Sequence, residues 1–130
     1  MNRLQNDGRV LKFFRVENQN PRALTTRQIE GFNKDGYVKP LDVFTPPEAD
    51  ANRCYFDELL RQTHEQGCDS YSINAYQKTD AAIWDLTMHP RILDYVQDLL
   101  GENFVCWGTH YFCKLGHNSK SVPWHQDPSY

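Results

Sequence analysis

After Pro90 the apolar period of the chain changes once, from 3.6 to 2, and that change limits what it can fold into. Ile92, Leu93, Val96, Leu99 and Leu100 make one stripe at helical spacing, opened by Pro90 and closed by Gly101. From Phe104 the pattern alternates. Phe104, Cys106, Gly108, His110, Phe112 and Lys114 fall on one side; Val105, Trp107, Thr109, Tyr111 and Cys113 fall on the other. Aromatic and β-branched residues in strict alternation predict a long strand with one mixed face. A helix followed at once by such a strand requires a helical layer and a sheet in one structure.

The upstream signals are mostly helical. Thr25 or Thr26, with Gln28 three residues after Thr25, predicts a capped helix that carries Ile29 and Phe32 on one face and ends at Gly36. Thr45-Pro46-Pro47-Glu48 predicts a second helix to about Gln66, stopped by Gly67, with Ala49, Tyr55 or Phe56, Leu59 and Leu60 as its core face. Tyr71, Ile73 and Ala75 alternate with Ser72, Asn74 and Tyr76, which fits a short strand or an extended segment. Asp80 is placed to cap a short helix through Leu86. Helices first and strands later point to an α+β domain, or to a mainly β barrel with N-terminal helices.

Composition narrows the function classes. The chain has 130 residues, enough for one domain, and 39% of them are hydrophobic. No apolar run approaches the ~20 residues of a membrane span. The 14 basic and 17 acidic residues leave a net charge of −3, which excludes the broad basic surface of a dedicated nucleic-acid binder. The charge is uneven: residues 1–22 hold five basic and two acidic side chains, a net of +3. They are read as a mobile N-terminal arm, and 23–130 as part of a single domain. Cys54, Cys68, Cys106 and Cys113 form no CxxC pair, so no zinc knuckle or redox motif follows. Residues 1–15 hold no seven-residue apolar stretch of a secretory leader. Free thiols in a reducing compartment are expected, with Cys106 and Cys113 in the core.

The segment richest in chemistry is Val122-Pro123-Trp124-His125-Gln126-Asp127-Pro128-Ser129-Tyr130. His125 and Asp127 stand at i and i+2, so on an extended chain their side chains leave the same face. An imidazole and a carboxylate are the donor types of the facial triad that holds non-haem Fe(II), two His and one carboxylate on one side of the metal. Pro123 and Pro128 restrict their neighbours to extended geometry. In a chain with five His and 11 Asp such a pair also arises by chance, so its weight comes from its flanks.

Those flanks, Tyr111-Phe112-Cys113-Lys114, a Gly-containing loop and Val122–Asp127, resemble the core signature of the phytanoyl-CoA dioxygenase family. Leu24 to Val38, His89-Pro90-Arg91-Ile92-Leu93 and Leu99-Leu100-Gly101 resemble that family's upstream elements in the same order. The resemblance covers roughly 24–130 and is tightest over 122–127. It implies a double-stranded β-helix (jelly-roll, cupin-like) barrel with N-terminal helices. It also implies a dioxygenase dependent on Fe(II) and 2-oxoglutarate, which uses O2 to hydroxylate an unactivated C–H bond of a small organic substrate, with succinate and CO2 as coproducts. His125 and Asp127 match the first two iron ligands. Asp127 sets the chain apart from the related halogenases, which leave that position without a carboxylate.

His110 and Lys114 share the face of the alternation on which some members of that family contact 2-oxoglutarate. The alternatives are a His satisfied by a backbone carbonyl and a Lys in a structural ion pair. His117 lies in the loop, Trp124 and Tyr130 are aromatic packing or cavity-wall candidates, and no chemistry is read into His64 or His89. The second iron-binding His and the basic residue for the distal carboxylate of 2-oxoglutarate are expected on strands beyond Tyr130. The chain is therefore expected to be the N-terminal part of an oxygenase, with the barrel truncated after its first strands. The alternative is a non-enzymatic truncated product, or a module completed by a partner chain. Arg3-Leu4 and Val10-Leu11 fit a peroxisomal signal imperfectly, because Val10 stands where His or Gln is required, so a cytoplasmic location is expected.

Overall fold

The computed structural model describes residues 13–113, 116, 121, 123 and 125. They divide into two compact units. One holds the described residues up to Val43 together with His89–Val105; the other holds Phe44–Met88 and the described residues from Cys106 onward.

The first unit contains α1 (Thr26–Asp35) and the helix over Pro90–Leu100, here α4 in chain order after α2 (Pro46–Glu65) and α3 (Ala81–Thr87). The start of α1 is a reciprocal cap. Gln28 N–H donates to Thr25 Oγ1 at 3.2 Å, and Thr25 N–H donates to Gln28 Oε1 at 2.8 Å. Its end is Gly36, at φ 80°, whose N–H donates to the Phe32 carbonyl at 2.8 Å. A side chain there would be strained in the left-handed region. Ile29 and Leu24 are buried. In α4 the only buried residue is polar, Asp98, at 2% exposure, while Ile92, Leu93, Val96 and Leu99 of the apolar stripe are half-buried. The Asp98 carboxylate accepts from three successive backbone N–H groups, Arg22 and Ala23 at 2.8 Å and Leu24 at 2.7 Å, and from Asn18 Nδ2 at 3.3 Å. Val16 N–H donates to Asn33 Oδ1 at 2.8 Å, and Asn33 Nδ2 returns a bond to Val16 O at 2.9 Å. Residues 16–24 are thus tied to both helices of this unit.

The second unit is built on the 20-residue α2. Glu48 accepts from the Thr45 N–H at 2.7 Å and from its hydroxyl at 2.8 Å, which fixes the helix start at Pro46. Leu59 and Leu60 form the core with Ile73 and Ile83, and Tyr55, Phe56, Tyr76 and Tyr111 pack against it. Asp80 caps α3 through Ile83 N–H at 3.0 Å, and its other oxygen takes a short hydrogen bond from the Tyr55 hydroxyl. One carboxylate therefore starts α3 and anchors it to α2. That hydrogen bond and the Ile83 N–H hold the Asp80 carboxyl below the usual range, outweighing its partial burial, while burial and the Asp80 charge push the Tyr55 phenol up. Tyr55→Phe is expected to lower stability by about 1–2 kcal/mol, read as a shifted urea midpoint in tryptophan fluorescence. An unchanged midpoint would show that the bond contributes nothing net.

Two expectations about strands need correction. Residues 71–76 are not a strand. They hold two 3-10 turns, Ser70–Ser72 and Tyr76–Lys78, on either side of Asn74. Asp69 closes the first turn by accepting from Tyr71 N–H at 3.0 Å, and Ala75, at φ 59°, turns the chain out of extension. The jelly-roll barrel is also overturned. The described residues are 51% helical, with four α-helices and no β-strand, sheet or barrel among them. The alternation from Phe104 was real, but alternation becomes a strand only where a neighbour supplies a ladder. Here the pairing among the described residues is a single antiparallel bridge, Asn74 with His110. Ala75 N–H donates to Thr109 O at 2.8 Å and Tyr111 N–H to Ile73 O at 3.2 Å. Upstream of the bridge Val105 and Trp107 are 87% and 85% exposed, so the alternation there faces no core. The described chain is helical rather than α+β or mainly β. Cys106 is exposed and Cys113 half-buried, so Cys106 is not a core residue; all four cysteines are free thiols.

Candidate functional site

The described part of the His-x-Asp segment is Ser121, Pro123 and His125. His125 is exposed, and its Nδ1 lies 2.8 Å from the Pro123 carbonyl oxygen. A carbonyl oxygen can only accept, so Nδ1 carries the proton. In the neutral ring the lone pair then sits on Nε2. Orientation of a metal-binding imidazole by a backbone carbonyl on its other nitrogen is the common support for such a ligand, and here the carbonyl lies two residues earlier in the chain. Asp127 and Lys114 lie outside the described residues, as do His117, Trp124 and Tyr130. Among the described residues no group of three or more His, Cys, Asp or Glu side chains is placed to hold a metal ion. For Fe(II), the fit therefore rests on one imidazole in contact with a backbone carbonyl and on the carboxylate two residues beyond it in the sequence.

His110 is exposed and lies at the one bridge found among the described residues. Its ring meets Tyr71 at 5.6 Å between centroids and Phe112 at 6.3 Å, in both cases edge to face. The i, i+2 relation of His110 and Phe112, legible in the sequence, places them on one face of the extended segment. Tyr71 could not be joined to them from the sequence, because the pairing of Asn74 with His110 leaves no local signal.

On the other side of that segment, Tyr111 packs on Phe56 with ring centroids 4.8 Å apart and planes at 34°. The two rings, with Phe44, Leu86 and Phe112, line a cavity of about 430 Å3, and Arg53 and Cys113 also reach it. Burial, and the Asp80 charge after it, push the Tyr111 phenol above its ordinary value. Its hydroxyl therefore stays protonated. The sequence put Tyr111 and Cys113 on one alternating face but gave no sign of a cavity there, which arises because α2 supplies Phe56 to the same wall.

Asp98 also escaped sequence reading, because it falls off the apolar stripe of α4, on the face of Arg91, Asp94 and Tyr95. Burial pushes its carboxyl up, but the three backbone N–H groups and Asn18 outweigh that and hold it below the usual carboxylate range. Its chemistry is to bind the chain's own backbone. Comparison with protein-family models, with curated proteins and with solved structures found no match for this chain.

Proposed function

We propose that this chain supplies His125 and Asp127 as ligands to Fe(II) in a 2-oxoglutarate-dependent hydroxylation of a small organic substrate. The observation that carries the reading is the contact of His125 Nδ1 with the Pro123 carbonyl oxygen at 2.8 Å, the kind of backbone support that orients a metal-ligating imidazole. Bound Fe(II), with 2-oxoglutarate and O2, supplies the oxidising power for attack on an unactivated C–H bond, and succinate and CO2 are the coproducts. Asp127 adds the anionic donor, at a spacing that suits one face of an extended chain. Lys114 contributes a cation for a cosubstrate carboxylate, and His110 a ring N–H on the same alternating face. These assignments give two of the three protein donors of the facial triad, an imidazole and a carboxylate two residues apart; a second imidazole completes the set.

The test is succinate formation from 2-oxoglutarate by the purified protein with Fe(II) in air, beside the binding of Co(II) as a spectroscopic stand-in. His125→Ala and Asp127→Ala are each expected to lower the rate by about a hundredfold or more and to abolish the visible bands of bound Co(II). A wild-type rate in either variant would remove that residue from the ligand set. Succinate no higher than with Fe(II) alone would overturn the activity.

A further inference from the structure

We infer that the cavity between α2 and the extended segment at Tyr111–Cys113 binds a small apolar carboxylate of the arylalkanoate type. Its volume of about 430 Å3 lies near the lower end of the ~300–1,000 Å3 typical of small-molecule sites, and its described lining belongs wholly to the second unit. Ala49, Asn52, Arg53 and Phe56 stand at i, i+3, i+4 and i+7 of α2, so one face of that helix makes one wall. Ala49 ends at Cβ and Asn52 is short, which leaves a hollow beside the bulk of Phe56. Leu86 of α3 and Phe112 add apolar surface to the lining.

A ring-bearing apolar body suits this lining. Phe56, Tyr111 and Phe112 all contribute to it, and a ligand ring can meet them edge to face or offset. Phe112 is 57% exposed, so an occupant also removes apolar surface from water. The wall is built before any ligand arrives. Phe56 and Tyr111 pack on each other and against the cluster of Leu59, Leu60, Ile73 and Ile83, and the Tyr111 N–H is held by the Ile73 carbonyl at 3.2 Å. Positioning by the core lowers the entropy lost on binding.

The charge of the ligand follows from Arg53. Among the described residues of the lining it is the one that carries a charge. Its side chain is 80% exposed, so the guanidinium stands in water at the mouth while the stem runs along the wall. Its ion pair with Asp57 runs through Nε at 4.0 Å, between two exposed side chains, and such a pair holds the guanidinium loosely. The two Nη groups suit a carboxylate taken in parallel, the geometry in which arginine binds best. Arg53 precedes Phe56 by three positions, a separation of ~5–6 Å between Cβ atoms on a helix, so the ligand needs a few carbons between ring and carboxylate. The Asn52 amide, on the same face, is a neutral donor beside it. This inference rests on neither iron nor His125.

The probes are 4-phenylbutyrate, its uncharged amide 4-phenylbutanamide, and acetate, each titrated against the whole chain without metal. The readout is alkylation by iodoacetamide, mapped by peptide mass. Cys113 is a half-buried free thiol in the lining, and the exposed Cys106, outside the described lining, is the internal reference. Saturating 4-phenylbutyrate is expected to slow Cys113 about fivefold or more, with a millimolar Kd, and to leave Cys106 unchanged. The amide is expected to bind about fivefold more weakly, and acetate not to protect. Arg53→Gln, at an exposed position, is expected to bring the acid down to the amide while leaving the amide where it was, a loss of discrimination that unfolding does not imitate. Ala49→Phe fills the hollow and is expected to end protection by both. No protection of Cys113, or equal slowing of Cys106, overturns the site. Equal affinity for acid and amide, or discrimination that survives Arg53→Gln, overturns the carboxylate as its ligand, and protection by acetate overturns the apolar body.

Discussion

Asp98→Asn is expected to lower the stability of the first unit by about 3 kcal/mol, although it changes one atom and no volume. The reason is the division of labour between the two carboxylate oxygens. Oδ1 accepts from the Arg22 N–H and from Asn18 Nδ2, while Oδ2 accepts from the N–H groups of Ala23 and Leu24. An asparagine has one oxygen and one NH2. Whichever way it is turned, the NH2 faces two donors and satisfies neither. The site is 2% exposed, so water cannot easily take over. Amide exchange at Arg22, Ala23 and Leu24 and the far-UV dichroism melt are the readouts, since Trp84 and Trp107 both belong to the other unit. Protection of the three amides at the wild-type level in Asp98→Asn would refute the clamp.

The same contact sets a pH dependence. The folded pKa of Asp98 lies below its unfolded value of about 3.9, so folding favours the charged form. Its contribution is complete above the unfolded value and is lost as pH falls from there through the folded one. The stability gap between wild type and Asp98→Asn is therefore expected to be constant near neutral pH and to close below about pH 4. A gap that widens in acid would contradict the assignment.

The helices were legible because their ends are written in local chemistry. Thr25 with Gln28, Thr45 with Glu48, Asp80, Pro90 and the glycines at 36 and 101 each act within a few residues of themselves, and the structure uses every one as expected. What the sequence concealed was non-local. The alternation at 104–113 states which residues share a face, but not whether another segment is present to pair with it. The segment meets Asn74 at one position, and a period cannot carry that information. Asp98 was hidden for a related reason. A carboxylate off the apolar stripe reads as solvated, and only the approach of residues 22–24, more than 70 positions earlier, makes it the buried centre of its helix. At the candidate site, the His-x-Asp pair was visible, but the Pro123 carbonyl that selects the His125 tautomer was not, because it depends on backbone direction. Tyr71 was out of reach by the same logic that hid the bridge.

That bridge also links the core of the second unit to its surface, and Ile73→Ala tests the link. Ile73 is 1% exposed and packs in the cluster of Leu59, Leu60 and Ile83, while its carbonyl accepts the Tyr111 N–H at 3.2 Å. Truncation removes three buried carbons without touching that carbonyl, and is expected to cost about 3–4 kcal/mol. Ile73→Val, which removes one, is expected to cost about 1 kcal/mol. Urea titrations followed by tryptophan fluorescence measure both. The contacts among the Tyr71, His110 and Phe112 rings should report the change as well. Their backbone is fixed to the core through Ile73 and its neighbours, so a void there releases the register of His110 and Phe112 against Tyr71 before the unit unfolds. The ring-to-ring contacts of these three residues in proton spectra are expected to weaken in Ile73→Ala under conditions where the helices persist. If they keep their wild-type intensity, the three rings are held by their own packing rather than by the core beneath them.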